Sequence, residues 1–247
     1  MNTVTHRCFY KAPPGVDPSA LKGLLIVIEG MDSSGRSTQI ERLTDWLERK
    51  GHSVSQVKLR RSVLVGEALE RAKQGNILNP RTLSLFYATD FYDQLENVIV
   101  PAMRAGSIVL ADRYIFTLMA RDSVRGADPA WLESLYSMAV VPNAVVFLQA
   151  SWKILVARTL KSRQGLDYWE SGMDLGLSRD WFESFIRYQK KMALEFKRLQ
   201  LKYQFQLINA NRSIPRVERE LRAAVEQVLG RYYPNVGGGA GNDMDRS

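Results

Sequence analysis

The sequence predicts one α/β domain whose core is a five-stranded parallel sheet with helices on both faces. Short apolar runs alternate with amphipathic segments along the chain, and a glycine-rich loop directly follows the first apolar run. Strands that alternate with helices in this way form a parallel sheet that is covered on both sides. A chain of 247 residues, 45% of them hydrophobic, is long enough to bury one full core.

Five segments are predicted as strands because they are short and rich in Val, Ile and Leu, or because they alternate between apolar and polar residues. They are residues 24–29, 53–59, 107–111, 144–149 and 205–209. Ligands of open parallel sheets bind beyond the carboxyl ends of the strands. We therefore expect the functional residues in the loops that follow these strands.

Helices are predicted between the strands from apolar residues spaced three and four apart. In residues 39–50 such residues share one face, and Gly51 ends the helix. Residues 80–105 form one long predicted helix with a bend at Pro101, which lacks a backbone donor. The other predicted helices are residues 64–73, 115–125, 129–138, 153–161, 179–200 and 216–229.

The predicted domain covers residues 21–233. Residues 1–20 are expected to form an irregular lead-in, since prolines and a glycine cluster in its second half. Residues 234–247 are rich in Gly and Asn, which is typical of a disordered tail.

The composition restricts the environment and the partners of the protein. A single cysteine, Cys8, excludes a disulfide framework within the chain and is typical of a reducing compartment. Neither a bilayer-spanning apolar run nor a signal-peptide pattern is present, so we expect a cytoplasmic protein without a membrane partner. The net charge of +8 favours anionic partners such as nucleotides. The basic residues are scattered over the predicted helices, so no specific nucleic-acid partner is expected.

A glycine-rich loop joins the first predicted strand to the first helix. Residues 30–37 match the phosphate-binding pattern G-x-x-x-x-G-K-[ST], except that Arg36 stands at the lysine position. Glycines let the backbone wrap around a phosphate, and the helix N-terminus adds positive potential. Arg36 keeps the positive charge, and the Ser37 hydroxyl is placed to hold Mg²⁺. The predicted ATP-binding residues are Gly30, Asp32, Ser33, Ser34, Gly35, Arg36, Ser37 and Thr38.

Two other interpretations of this loop stay open. It can be a turn that only joins a strand to a helix, or a degenerate loop that no longer binds nucleotide, because arginine is bulkier than the compact lysine ammonium. The strand before the loop and the helix after it favour phosphate binding.

Residues 26–43, IVIEGMDSSGRSTQIERL, resemble the start of a thymidylate kinase, whose loop is similar to IEGxDGxGKSTQ. The resemblance covers residues 23–193. It implies the P-loop fold of the nucleoside monophosphate kinases, with a five-stranded parallel sheet, and a homodimer. It also implies ATP as the phosphoryl donor, Mg²⁺ as the cofactor and a nucleoside monophosphate as the acceptor, with dTMP as the first candidate.

The resemblance implies several acceptor-binding residues. Asp32 is expected near the sugar hydroxyl of the acceptor. Residues 85–90, LFYATD, resemble the segment L-F-x-A-x-R of the family, and Phe86 is expected to stack on the pyrimidine. After the second strand, Arg61 is expected to hold the acceptor phosphate, and its neighbour Arg60 is the alternative.

The third predicted strand ends in Asp112-Arg113-Tyr114, which resembles the D-R-Y motif of the family. Asp112 is expected to hold Mg²⁺ and Arg113 to bind phosphate, while Tyr114 is counted among the acceptor contacts. On the next helix, Arg121 and Arg125 are expected to add acceptor contacts, with a solvated helix face as the alternative.

Residues around 160–178 resemble the lid of the family. Arg158, Lys161 and Arg163 precede the segment GLDYWE at residues 165–170. Such a lid brings basic side chains over the transferring phosphate and excludes water. Lys161 could instead complement the dipole of its helix end. The expected catalytic residues are Arg36, Asp112, Arg113, Arg158 and Arg163.

Three basic positions of the family pattern are altered. Arg36 replaces the loop lysine, Asp90 stands where L-F-x-A-x-R ends in arginine, and Tyr168 follows the lid acid in place of arginine. A carboxylate repels a phosphate dianion. Asp90 is therefore expected either to meet a donor group of the acceptor or to pair with an arginine, for which the candidates are Arg61, Arg113 and Arg121.

The leading hypothesis from the sequence is ATP-dependent phosphorylation of dTMP. The alternatives are a kinase for a different nucleoside or nucleotide acceptor and a catalytically impaired nucleotide-binding regulator with the same fold. A nucleic-acid binding module is supported only by the net charge.

Overall fold

The computed structural model describes residues 5–75, 78–161 and 166–233, and these residues contain a five-stranded sheet. The strands are β1 (Leu24–Gly30), β2 (Val54–Lys58), β3 (Ile108–Asp112), β4 (Ala144–Gln149) and β5 (Gln206–Asn209). Their order across the sheet is β2-β3-β1-β4-β5, and every neighbouring pair is parallel. The predicted parallel sheet is confirmed, and β4 has the bounds that the sequence predicted.

Helices cover both faces of the sheet. They are α1 (Arg36–Arg49), α2 (Gly66–Gln74), α3 (Pro80–Gln94), α4 (Val100–Arg104), α5 (Ile115–Val124), α6 (Pro129–Leu135), α7 (Trp152–Lys161), α8 (Trp181–Tyr203) and α9 (Ile214–Tyr232). Helix α1 begins three residues earlier than predicted, because the phosphate loop passes directly into a polar first turn that carries no apolar pattern. Helix α8 begins where the Asp180 carboxylate accepts from the backbone amide of Glu183 at 2.7 Å.

The predicted long helix of residues 80–105 is divided. Helix α3 ends at Gln94, a π-helical turn spans Leu95–Ile99, and α4 continues to Arg104. Pro101, two residues after the π turn, has no N–H for an α-helical hydrogen bond. The bend expected at the proline therefore takes the form of a π turn.

The strand register brings three strand ends to one edge of the sheet. Ile28 of β1 and Lys58 of β2 both pair with Asp112 at the end of β3. The phosphate loop, which leaves β1 at Gly30, therefore lies beside Asp112. This shared edge positions the functional site.

The core consists of two apolar layers that the sheet separates. Leu25 and Val27 of β1 face the layer that includes α3, α5 and α8, whereas Leu24 and Ile26 face the layer that includes α1 and α9. All residues of β1 are buried. A strand buried on both faces is a continuous apolar run, which is why its position could be predicted.

The described part of the lead-in, residues 5–20, packs on the domain. Cys8 forms an antiparallel bridge with Val140, and the ring of Phe9 lies 5.5 Å from that of Tyr203. The predicted tail, residues 234–247, lies outside the described residues. None of the helices within the described ranges combines the length and the apolarity that crossing a membrane requires.

Candidate active site

The phosphate loop has the backbone conformation that its glycines permit. A Cβ atom on Gly30 would lie 2.7 Å from Oγ of Ser34, so a side chain does not fit there. Gly35 caps α1 with φ +95°, which glycine adopts without strain. Ser33 also has a positive φ, +62°, where the similar loop IEGxDGxGKSTQ has a glycine. Serine is therefore held in a left-handed conformation at this turn.

The side chain of Arg36 lies within its own loop. Its Nη1 donates to the carbonyl oxygens of Gly30 at 2.6 Å and of Met31 at 2.7 Å, and its Nε donates to Oδ1 of Asp112 at 2.8 Å. Only 10% of the side chain is exposed. Arg36 thus places a buried positive charge beside two carbonyl oxygens of the loop, at the position of the usual lysine.

Asp112 joins the loop to the end of β3. Its Oδ2 accepts from Oγ of Ser37 at 3.2 Å and lies 3.6 Å from Nζ of Lys58. Burial raises the pKa of Asp112, but the positive charges of Arg36 and Arg113 outweigh it and hold the pKa below its ordinary value. An ionised carboxylate beside a hydroxyl offers the oxygen ligands that Mg²⁺ prefers. These two residues therefore fit the predicted metal site.

Arg113 follows Asp112 in a left-handed conformation, with φ +75°. The buried carboxylate of Glu29 holds the turn: it accepts from the backbone amides of Tyr114 at 2.9 Å and Thr117 at 3.2 Å, and from the Thr117 hydroxyl at 2.5 Å. The guanidinium of Arg113 binds the Asp32 carboxylate and donates to Oγ1 of Thr117 at 3.2 Å. The phosphate loop and the end of β3 are therefore locked together.

A cleft of about 380 Å³ opens beside the phosphate loop. Asp32 lies in it with its Oδ1 3.6 Å from Nη2 of Arg121. Burial raises the pKa of Asp32, but Arg113 and Arg121 outweigh this effect and hold the pKa well below its usual range. The charged residues that line the cleft are Asp32, Arg36, Lys58, Arg60, Arg113, Arg121, Asp167 and Glu170. Positive groups outnumber carboxylates in this lining, which suits an anionic ligand.

Glu170 lies on the lid side of the cleft. Its Oε1 is 3.8 Å from Nη2 of Arg121. The negative charge of Asp32 and burial both raise the pKa of Glu170. Arg121 therefore lies between two carboxylates in the cleft, and not on a solvated helix face.

Arg158 supports the phosphate loop from outside. Its Nη1 donates to the carbonyl oxygen of Ser34 at 3.1 Å, and its Nη2 donates to that of Ala210 at 3.0 Å. Lys161 is exposed at the end of α7. Arg163, predicted to be catalytic, lies outside the described residues.

Arg125 ties the lid segment to α5. Its Nε and Nη2 donate to the two carboxylate oxygens of Asp174 at 2.8 Å and 3.1 Å, and Nη2 also donates to the carbonyl oxygen of Trp169 at 2.9 Å. Its Nη1 donates to the Tyr188 hydroxyl at 3.0 Å. The solvated face that the sequence left open for Arg125 is wrong, because the side chain is buried and its donors are used in this anchor.

A second anchor joins the lid segment to α2. The indole Nε1 of Trp169 donates to the carbonyl oxygen of Lys73 at 3.0 Å, and Nζ of Lys73 lies 3.9 Å from Oδ2 of Asp167. Tyr168, at the position of the lid arginine, packs on Trp181 with 6.2 Å between ring centroids. The lid residues of the described part are thus packed and hydrogen-bonded.

The two arginines after β2, Arg60 and Arg61, line different cavities. Arg60 lines the cleft with Arg113 and Arg121. Arg61 is exposed and lines another cavity, with Ser37 and Asp112. The alternative that the sequence left open, Arg60, is the one that reaches the cleft.

Two predicted acceptor contacts lie elsewhere. Tyr114 is buried in the core, its hydroxyl donates to the carbonyl oxygen of Val140 at 2.9 Å, and its ring packs against Phe91. Phe86 is half-buried on α3, packed against the core and not among the described residues that line the cleft. Thr38, predicted to bind ATP, is exposed in the first turn of α1.

The pairing predicted for Asp90 is wrong. Its carboxylate accepts from the backbone amides of Arg60 at 2.8 Å and Ser62 at 2.9 Å, and from Nε2 of Gln94 at 3.1 Å. Within the described ranges Asp90 forms no ion pair. Backbone amides, which the sequence cannot reveal as partners, take the place of the expected arginine.

Four residues of the site were not predicted from the sequence. Glu29 belongs to an apolar run and was assigned to the strand, and Thr117 carries no motif. Lys58 pairs with Asp112 only through the sheet register, and Glu170 reaches Arg121 only because the lid is anchored. For Glu29 and Lys58, the sequence signal that could have predicted a place in the site was a charged residue at the end of a predicted strand.

The fold and the site define a P-loop nucleotide-binding protein. A strand, a glycine-rich loop and a helix are joined in the required order, and Ser37 and Asp112 meet where such proteins hold Mg²⁺ with the nucleotide. A cleft lined by arginines beside the loop provides room for a second anionic ligand.

The chain belongs to the thymidylate kinase family, since the family model described as thymidylate kinase matches residues 28–221. A probable thymidylate kinase 2 of Saccharolobus solfataricus is 33% identical over 216 residues, covering 87% of this chain and 99% of the relative. A probable thymidylate kinase of Thermococcus gammatolerans is 28% identical, covering 84% and 98%. A thymidylate kinase of Akkermansia muciniphila is 33% identical, covering 66% and 79%. The family suggested by the sequence is confirmed.

Proposed function

We propose that this protein transfers the γ-phosphoryl group of ATP to dTMP and so forms ADP and dTDP. The observation that carries the proposal is the bond between Asp32 of the phosphate loop and Arg113 at the end of β3. Because these residues line one cleft, the loop for the donor and the cleft for the acceptor share a wall. Membership of the thymidylate kinase family supports dTMP as the acceptor.

The donor phosphates bind to the loop between Gly30 and Thr38. The positive end of α1 and the loop amides attract the phosphates, as in other loops of this kind. Arg36 lies within this loop and supplies a fixed positive charge. ATP needs no covalent link to the protein for this role, because the loop only has to hold and orient it.

Ser37 and Asp112 would hold Mg²⁺ through their side-chain oxygens. When bound, the ion neutralises phosphate charge and orients the γ-phosphoryl group. Arg36 keeps Asp112 ionised, and Lys58 reinforces this effect.

The acceptor phosphate faces Arg113 and Arg121. Asp32 is ionised at neutral pH because its pKa is held low, so it can accept a hydrogen bond from the sugar hydroxyl. The same carboxylate fixes the orientation of both arginines. Fixed donors favour a charged transition state without reorganisation during the reaction.

The reaction needs alignment more than it needs proton transfer. An oxygen of the dTMP phosphate bonds to the γ-phosphorus while the bond from that phosphorus to the oxygen bridging the β- and γ-positions breaks, and ADP leaves. The phosphate of dTMP is largely dianionic at neutral pH, since its second pKa is about 6. The arginines of the cleft stabilise the spread negative charge, and the lid segment excludes water.

The homodimer, the cytoplasmic location and the extent of the lid around residues 160–178 stay predictions. The same is true of the domain limits at residues 21 and 233. Sedimentation of the purified protein measures its oligomeric state directly.

A coupled ADP-release assay across a panel of nucleoside monophosphates and nucleosides tests the function. We expect ADP release with dTMP and much less with thymidine, since thymidine offers no phosphate to Arg113. Release with another monophosphate but not with dTMP would identify a different acceptor. Nucleotide binding without release would identify a regulator of the same fold.

A further inference from the structure

We propose that Asp90 is a positioning residue for acceptor binding: it fixes the backbone of residues 60–62 and thereby turns Arg60 into the cleft. The inference rests on the proposed function, because it assigns a role to Arg60 in holding the acceptor phosphate. It also assigns a role to the aspartate that stands where the family segment L-F-x-A-x-R ends in arginine.

The Asp90 carboxylate is fully used by the protein. It is 0% exposed, one oxygen accepts from the amide of Ser62 at 2.9 Å, and the other accepts from the amide of Arg60 at 2.8 Å and from Gln94 at 3.1 Å. A carboxylate is an acceptor at both oxygens, so it suits a site made of N–H groups. Asparagine would direct an N–H toward one of these donors.

The fixed backbone separates two neighbouring arginines. Arg60 has φ +65°, a left-handed conformation that is uncommon for a residue with a side chain. As a result Arg60 lines the cleft, whereas Arg61 lines the cavity of Ser37 and Asp112. The Asp90 carboxylate favours this conformation because it accepts from the backbone amides of Arg60 and Ser62, on either side of Arg61.

Arg60 is available to an anionic ligand. Its Nη1 lies 2.9 Å from Oε2 of Glu70, but the two side chains are 35% and 48% exposed. An exposed ion pair contributes little, so a phosphate dianion in the cleft competes well for the guanidinium. Arg60 shares that cleft with Arg113 and Arg121. Asp90 therefore supplies a cation to the acceptor site indirectly, through the loop that it holds.

Steady-state kinetics with dTMP and ATP test the proposal on wild type and on Asp90→Asn, Arg60→Ala, Arg61→Ala and the double variant Asp90→Asn/Arg60→Ala. Asp93→Asn is the matched control: Asp93 lies on the same helix and accepts from the Ser62 hydroxyl at 2.6 Å, but not from the backbone of Arg60. Loss of hydrogen bonds to a charged group predicts that Asp90→Asn raises the KM for dTMP about tenfold. The KM for ATP should stay within about twofold in Asp90→Asn, because the hydrogen bonds of Asp90 go to residues 60–62 and Gln94 and not to the phosphate loop. Asp93→Asn should leave both KM values within about twofold, since changes away from buried networks have small effects.

The double variant separates positioning from a general structural defect. If Asp90 acts through Arg60, adding Asp90→Asn to Arg60→Ala should change the KM for dTMP little. Arg60→Ala alone should raise the KM for dTMP more than Arg61→Ala does. Equal effects of Asp90→Asn on both substrates, or an unchanged KM for dTMP in Arg60→Ala, would overturn the proposal and leave the proposed function intact. Wild type that forms no dTDP from dTMP would overturn the proposed function itself. Arg60→Ala changes a side chain that is 35% exposed and lies outside the core, so it keeps the test valid if Asp90→Asn fails to fold.

Discussion

Arg36 and Asp112 form a nearly buried ion pair, with Nε of Arg36 2.8 Å from Oδ1 of Asp112. The pair crosses from the phosphate loop to the end of β3. It therefore couples the residue at the lysine position of the loop to the carboxylate that would hold Mg²⁺. A change at Arg36 is expected to affect both the bound phosphates and the metal.

Arg36→Ala is expected to lower kcat by about 10²–10³, since removing one preorganised contact to the developing charge has an effect of this size. Arg36→Lys should lower kcat much less, because it keeps a positive charge within the loop. Steady-state kinetics of both variants check the prediction. Arg42→Ala is the control, since Arg42 lies on α1 but pairs with Glu218 at the surface. Equal activity of wild type and Arg36→Ala would remove Arg36 from the mechanism.

The parts of the fold that could be predicted are those that leave a local pattern. β1 is an apolar run because both its faces are buried, and the phosphate loop is recognised from its two glycines, Ser37 and its place between a strand and a helix. The bounds of α1 were less accurate because its first turn faces the loop and not the core. The π turn before Pro101 was not predicted beyond a bend, since the proline removes a donor without specifying how the helix adapts.

The site was predictable where its residues belong to motifs. Asp32, Ser37, Asp112 and Arg113 meet as the phosphate loop and the strand-end motif imply. Asp90 could not be placed, because its partners are backbone amides of a loop distant in sequence. The choice between Arg60 and Arg61 depends on a positive φ that no sequence pattern signals.

Arg125→Ala is expected to destabilise the protein by about 3–5 kcal/mol, because it leaves the Asp174 carboxylate without its partner. Only 4% of the Arg125 side chain is exposed. By the usual scaling of 2–4 °C per kcal/mol for a chain of this size, Tm should fall by roughly 10 °C. Calorimetry measures the change. Arg187→Ala is the matched control, since its pair with Glu183 is exposed and contributes less than about 1 kcal/mol.

Asp32→Asn is expected to lower Tm most near neutral pH. The pKa of Asp32 is lower in the folded state than in the unfolded chain, so its ionised form stabilises the fold above its unfolded pKa of about 3.9. This contribution is lost as the pH falls below that value toward the folded pKa. Thermal unfolding of wild type and variant from pH 7 to pH 3 should therefore show a Tm difference that shrinks with acidification. A constant difference would show that the charge of Asp32 is not what stabilises the fold.

ATP with Mg²⁺ is expected to raise Tm. A ligand present at 100 times its Kd adds about 2.7 kcal/mol to the stability of the state that binds it. A thermal-shift titration checks this, and Ser37→Ala should weaken the effect of Mg²⁺ while ATP still binds the loop amides. An unchanged Tm at millimolar ATP and Mg²⁺ would argue against nucleotide binding by this loop.

Transfer of labelled phosphate tests the central claim most directly. The protein is incubated with ATP labelled at the γ-position, Mg²⁺ and dTMP, and the nucleotides are separated by chromatography. Wild type is predicted to form labelled dTDP in step with unlabelled ADP, and Arg113→Ala to form far less. Label that stays in ATP, or that appears only as free phosphate whether or not dTMP is present, would contradict the account.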